Sequence, residues 1–273
     1  MMFHAWLSDV RLYRLLIAMQ IKAQLQYKVN LAVDILTSFA VTCLEFGALL
    51  LFFIPFPTLL GWRMGEVALL ASIISIGFGL AELVGAGVDN FPFTIRKGEF
   101  DRVLLRPVGA FMQVVGSDFL LRRFGRITQG LLGFVVALHF LPNLHWTLAK
   151  VVVLLLGIAS GAVIFVAILL LGATLCFWTI ETTELTSLLY YGGREMLSYP
   201  MSIYHSLLQR AFLFVVPIAF GSYVPTCYIL ERSLPFGLPL ELAFAAPLVA
   251  LAFALVAGAV WTFGVHHYQS TGS

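Results

Sequence analysis

An all-α integral membrane protein with six transmembrane helices is the fold class this sequence predicts, and three observations carry it. Of 273 residues, 60% are hydrophobic and only 11% charged, where a soluble domain carries about 25% charge; the mean hydropathy is +0.96. Apolar runs of bilayer-spanning length recur along the chain. The basic residues gather in alternate connecting segments. A water-soluble fold built from this chain would lack the polar side chains to cover its surface.

The elements follow in order. Residues 1–30 predict an N-terminal amphipathic interfacial helix: Leu12, Leu16, Met19 and Ala23 recur at helical spacing, with Arg11, Arg14 and Lys22 on a neighbouring face, apolar side toward lipid and cations toward phosphates. The short run Leu15–Met19 is followed by Gln20, Lys22, Gln24 and Lys28 with no small-residue cleavage site, so the segment is expected to be retained. Residues 31–264 form a single transmembrane domain, with spans at 31–54, 67–88, 119–141, 150–180, 211–230 and 241–264. The span at 119–141 is weak because its strongly apolar part, 127–141, is short. That at 211–230 is weak because it holds Pro217 and Pro225, which a span tolerates when neighbouring helices satisfy the freed carbonyls. The fourth span, 31 residues if helical throughout, would reach about 45 Å, and its Gly157 and Gly161 form a small-xxx-small pair suited to close helix packing. Residues 265–273 are a tail.

Charge sets the orientation. Of 16 basic residues, 13 fall in segments 1–30, 89–126, 181–210 and 265–273, leaving Arg63, Lys150 and Arg232 on the other side. The excess belongs in the cytoplasm, which places both termini there.

The inventory of chemistry is short. None of Lys22, Lys28, Lys97 and Lys150 completes a P-loop, and neither HExxH nor GxSxG occurs. Cys43, Cys176 and Cys227 are far apart and read as single buried thiols; His266 and His267 adjoin without forming a metal set. No catalytic residue, metal ligand or resident cofactor is expected. Three acids lie within predicted spans. Asp34 reaches the interface, whereas Glu45 sits near the middle of the first span and Glu82 under two turns from the end of the second. A charge at the bilayer centre costs roughly 2.5–3.5 kcal/mol on insertion scales, so Glu45 should face protein or a water-filled cavity. With Glu82 and Pro217, it marks a candidate substrate or ion pathway; no basic residue is expected deep enough in a span to pair with either acid.

The connection at 89–118 is the most informative. Between Pro92 and Pro107, charges of both signs interleave with Phe100, Val103 and Leu104, which predicts one short amphipathic helix stopped near Pro107 and suited to a groove on a soluble partner. The stretch Ile95-Arg96-Lys97-Gly98-Glu99-Phe100-Asp101-Arg102-Val103-Leu104-Leu105-Arg106-Pro107 resembles the loop of small bacterial six-span ABC transporter permeases of the ABC-2 type: a basic residue, Gly-Glu, a hydrophobic residue, Asp, then Leu-Leu-Arg-Pro. Tyr199-Pro200 with Ile203-Tyr204, Val216 through Phe220 with Pro225, and Tyr268-Gln269-Ser270 are similar as well. The resemblance implies a permease without enzymatic activity of its own, and the net charge of +2 gives no field that would recruit a nucleic-acid partner. Two separate ABC ATPase subunits, which bind ATP and magnesium, would dock below, and a second permease, identical or a paralogue, would stand beside it in the lipid of a bacterial cytoplasmic membrane. It implies export by default, with Ile95, Arg96, Gly98, Glu99, Asp101, Leu104, Leu105, Arg106 and Pro107 as the cytoplasmic coupling helix. The stretch through Glu231, Pro235 and Pro239 would form short outer re-entrant helices. Sparse polar residues in the spans suit a hydrophobic or amphipathic cargo. The alternative is an ion-gradient-driven secondary transporter or channel working through Glu45 and Glu82, whose signature would be paired interrupted helices in two halves; the sequence offers one interruption, near Pro217 and Pro225. A membrane-embedded enzyme would need clustered polar groups at one face, and a structural scaffold would not need the mixed-charge loop.

Overall fold

A computed structural model describes residues 2–106, 108–179 and 183–268. Pro107, Gln269 and Ser270 lie outside these, as do the side chains of Arg11 and Leu12. The described chain is helical nearly throughout, the exception being a hairpin of two-residue strands, Thr58–Leu59 and Trp62–Arg63. Leu60 and Gly61 turn it with positive φ of 47° and 82°, the backbone a tight two-residue hairpin demands.

Four helices are long and apolar enough to cross a membrane: Lys28–Phe52, Met64–Arg96, Leu148–Leu175 and Leu240–His267. Helix α1, Met2–Gln26, precedes them, and a one-residue break at Tyr27 leads into α2, Lys28–Phe52. The expected apolar face of α1 is divided. Tyr13 and Leu16 pack toward Gly116, Met19 and Ala23 stand exposed, and the anchors are polar. Gln20 Nε2 donates to the Ser117 carbonyl at 2.7 Å, Gln24 Nε2 donates to the Phe119 carbonyl, and Gln24 Oε1 accepts from the Leu121 amide at 3.0 Å.

Helix α3, Met64–Asp89, is the most buried element and the axis of the fold. Its start is fixed by Glu66, whose Oε2 accepts the Arg63 amide at 2.7 Å, a first-turn acid at the positive end of the helix. After Asn90 the direction continues in α4, Phe91–Arg96, and then α5, Phe100–Leu104. Helix α6, Ala110–Val115, leads back to a 3₁₀ turn at Leu121–Arg123 and to α7, Phe124–His139. The third apolar run is thus helical over 16 residues, about 24 Å, rather than over 119–141. Glycines let α7 lie close to its neighbours: a Cβ at Gly125 would come within 3.1 Å of the Phe39 amide of α2, and one at Gly130 within 3.1 Å of the Ile76 amide of α3.

Helix α8, Leu148–Leu175, starts at Thr147, whose hydroxyl accepts the Lys150 amide at 3.3 Å, and ends before the expected residue 180. Gly157 and Gly161 act as the small-xxx-small spacing suggests. A Cβ at Gly157 would strike the Pro225 ring at 2.5 Å, and one at Gly161 would lie 3.1 Å from the Gly221 Cα and carbonyl oxygen.

What they receive is not the continuous span expected at 211–230. After the short helices α9 (Thr183–Ser187), α10 (Gly193–Met196) and α11 (Ser206–Arg210), the chain makes a π turn at Ala211–Val215, breaks at Pro217 and continues as a 3₁₀ turn at Ile218–Gly221. It then restarts as α12, Tyr223–Leu230. Pro217 lacks the amide a helix would use, and Ser222 at φ −149°, ψ −64° completes the break. Two 3₁₀ turns, Pro235–Gly237 and Leu240–Ala245, precede α13, Ala246–His267. Cys43, Cys176 and Cys227 form no disulfide, and no group of metal-ligating side chains occurs among the described residues.

Candidate functional site

The loop after α3 is two short helices, not one. Gly98 separates α4 from α5 with φ +65°, and the hydrogen bonds around it, Gly98 amide to Ile95 carbonyl at 3.0 Å and Glu99 amide to Thr94 carbonyl at 3.1 Å, form a Schellman cap. Only glycine takes this conformation without steric cost, which gives the Gly-Glu of the motif a structural reason.

The hairpin has two faces. Phe91, Ile95 and Phe100 point inward and are buried, whereas Lys97, Glu99, Arg102, Leu104, Leu105 and Arg106 are exposed, Leu105 by 85%. Inside, Phe91 meets Phe100 at 5.1 Å and Trp261 at 5.0 Å between ring centroids, and Phe100 meets Tyr268 at 5.0 Å. Phe177, just beyond α8, touches Trp261 and Tyr268. The loop is therefore keyed to the ends of α8 and α13 through aromatic rings. Burial, and then the nearby Asp101 carboxylate, hold the Tyr268 hydroxyl above its ordinary pKa. Gln113, buried, donates through Nε2 to the carbonyls of Val103 at 3.0 Å and Val108 at 2.9 Å, and Asn90 donates to Asp118.

A second assembly lies deeper. Glu82, with 2% of its side chain exposed, receives Arg123 and, at 3.0 Å, Arg126 Nε. Arg126 also lies 4.0 Å from Glu45, and the buried Arg194 lies 3.3 Å from it. The guanidinium carbons of Arg126 and Arg194 sit 5.1 and 6.0 Å from the Phe78 ring centroid. The expectation that no basic residue would reach Glu45 or Glu82 is thus corrected. Arg123 and Arg126, one turn apart, fall at the start of the short α7, and Arg194 is carried inward by α10 behind the π turn Leu188–Gly192. The Nε atoms of Arg123 and Arg194 are buried without a hydrogen-bond partner. Spacing one turn apart with the buried Gln129 and Gly130 was the signal for Arg126; nothing comparable marked Arg194. Pro217 is buried at its break, and Ile218 beside it packs toward Gly193, next to Arg194.

At the opposite end of α3 two of the three remaining basic residues, Arg232 and Lys150, pair with acids. Arg232 grips Glu66 at 3.0 and 2.8 Å while lying over Trp62, and Lys150 Nζ meets Glu231 at 2.7 Å. The Lys150 hydrogen bond and charge hold the exposed Glu231 carboxyl below its ordinary pKa.

Residues 39–272 match the family described as ABC-2 family transporter protein. The chain belongs to this family. Of the loop motif, the described Ile95–Arg106 lies inside the match, and so do both charge assemblies. No curated protein and no solved structure gives a match. Membership makes this ABC-2 protein a multi-pass membrane component of an ABC transport system, working with ABC ATPases.

Proposed function

We propose that this ABC-2 protein is the transmembrane permease subunit of an ATP-driven exporter, moving a hydrophobic or amphipathic substrate out across a bacterial cytoplasmic membrane. Two separate ATPase subunits bind ATP and magnesium below it, and a second permease, identical or a paralogue, completes the path. Six spans with both termini cytoplasmic fit the placement of Arg63, Lys150 and Arg232 at one end of α3 and the basic loop at the other. In this count α7 is a short third span and the segment 206–230 an interrupted fifth.

The observation that carries the reading is the two-faced hairpin: Arg102, Leu104, Leu105 and Arg106 exposed on one side, Phe91 and Phe100 locked among Trp261 and Tyr268 on the other. An exposed Leu-Leu pair between arginines suits a groove on a protein partner, and closure of the ATPases on ATP would move the hairpin and, through the rings, α8 and α13. Pro107 belongs to the same motif. In the alternative, Glu45 and Glu82 bind a driving ion; their arginine partners weigh against this, since an ion would have to displace them.

The test is co-expression with the products of neighbouring genes, followed by co-purification of any ABC ATPase among them. Leu105→Glu and Arg106→Glu, both on the exposed face, should abolish capture while leaving the detergent-solubilised chain monodisperse. Wild-type capture in both, or substrate movement in liposomes under an ion gradient without ATP, would overturn the reading.

A further inference from the structure

Between α2 and the start of α7 lies a cleft of about 250 Å³, walled by Thr37, Ser38 and Val41 on one side and by Glu82, Arg122, Arg123 and Arg126 on the other. Its lining carries three guanidinium groups and one carboxylate, a formal +2. That carboxylate is already engaged by Arg123 and Arg126, and Arg122 joins no ion pair among the described residues. The 3₁₀ turn Leu121–Arg123 and the α7 that continues from it begin at this cleft, with no side-chain cap on either. Arg123 and Arg126 also face Asp89 and Glu45, so Arg122 is the cation left without an ion pair among the described residues, in a recess that Thr37 also lines.

The cleft has a defined depth. Arg123 reaches Asp89 at the loop end of α3 at 3.7 Å, and Glu82 lies seven residues before Asp89, about 10 Å along the helix. In the six-span reading this sets the cleft deeper than the cytoplasmic loop, on the membrane side of it. Thr37, Val41 and Leu44 share one face of α2, and Val41 and Leu44 are exposed by 49% and 74%. A polar pocket therefore opens onto an apolar helix face.

We propose that this cleft binds the phosphate, or chemically equivalent oxyanion, of an anionic amphiphile, with its chain along Val41 and Leu44, and that such amphiphiles are the cargo class. The cargo assignment rests on the permease reading above; the binding site does not. Excess cationic charge beside a membrane is commonly solvated by water or lipid at random, so selectivity is the property to measure.

The protein, purified in detergent, is mixed with equal amounts of phosphatidic acid and phosphatidylcholine of the same acyl chains, and bound lipid is read by native mass spectrometry. Phosphatidic acid should be held about tenfold in excess, the factor expected of one charge-assisted hydrogen bond. Arg122→Gln, which breaks no internal pair, should bring the ratio near one, and Arg122→Lys should keep most of it. Val41→Glu, from the opposite wall, should repel the anionic lipid in the same way. Equal retention of the two lipids, or a ratio indifferent to Arg122→Gln and Val41→Glu, overturns the site. Displacement by millimolar inorganic phosphate would make it a site for the free oxyanion and overturn the amphiphile; persistence in excess phosphate supports it. Selective binding in a chain that captures no ATPase leaves the site and removes the permease reading, while capture without selectivity does the reverse.

Discussion

Glu82→Gln removes one charge and almost no volume, and the surroundings of Glu82 set the size of its effect. The side chain is 2% exposed, and the two arginines it joins are 20% and 17% exposed, so solvent cannot replace the lost carboxylate. Removing one partner of a buried ion pair costs about 3–5 kcal/mol, because the other charge is left uncompensated. At roughly 2–4 °C per kcal/mol for a chain of this size, the variant should melt some 6–20 °C below wild type in detergent. Arg126→Gln alone should be similarly harmful. The double variant Glu82→Gln/Arg126→Gln should lose less than the sum, by about 0.5–3 kcal/mol, as for neighbours in one network. The assay is a thermal melt of the four proteins by fluorescence-detected size exclusion. A Glu82→Gln protein melting within about 2 °C of wild type, or strictly additive losses, would refute a buried network in which the pairing matters.

Gly98→Ala forces a Cβ into a left-handed turn at a cost of roughly 1–2 kcal/mol; ATPase stimulation by the reconstituted complex should fall sharply while the melt moves by only a few degrees. Gly161→Ala brings a methyl within 3.1 Å of Gly221 backbone atoms, which cannot swing aside as a side chain would, so the yield of monodisperse protein should drop severalfold. Glu231→Gln tests the pH dependence of the Lys150 pair. The folded pKa of Glu231 is depressed, so its contribution is present above the ordinary carboxylate range and lost as pH falls through the folded value. Wild type and variant should therefore differ in melting near pH 7 and converge in acid.

Much of the scaffold was legible because single helices report on themselves. The apolar runs containing α2, α3, α8 and α13 are long, and Gly157 and Gly161 announced a close contact that Pro225 and Gly221 fill. The misreadings occur where two segments meet. Periodicity gives the face a residue occupies on its own helix but not which helix stands opposite, so Glu82 seemed partnerless while Arg123 and Arg126, at the start of the span 119–141, were counted with the cytoplasmic charges of 89–126. Arg123 caps the short α7 and Arg126 lies in its first turn. Arg194 follows a π turn, whose altered register a 3.6-residue period does not track. Gly98 was read as part of a motif inside one helix, although glycine within a helical pattern is also a stop signal. Pro217 and Pro225 were taken as tolerated kinks; with Ser222 between them they divide the segment.

The distribution of these charges constrains how the bundle moves. Any displacement separating α7 from α3 must pull Glu82 from both arginines and also part the close contacts at Gly79–Ile127 and Gly130–Ile76, so these two helices travel together. Glu45 is held more loosely: its side chain is 41% exposed, and its arginine contacts lie at 3.3 and 4.0 Å. Water can take up Glu45 when α2 shifts, at far smaller cost than exposing Glu82. The hairpin is an extension of α3 and is bound by rings to α8 and α13. A push on it therefore reaches α3, α8 and α13 directly, and α2 through α7, at the Gly125–Phe39 contact and the Arg126–Glu45 pair.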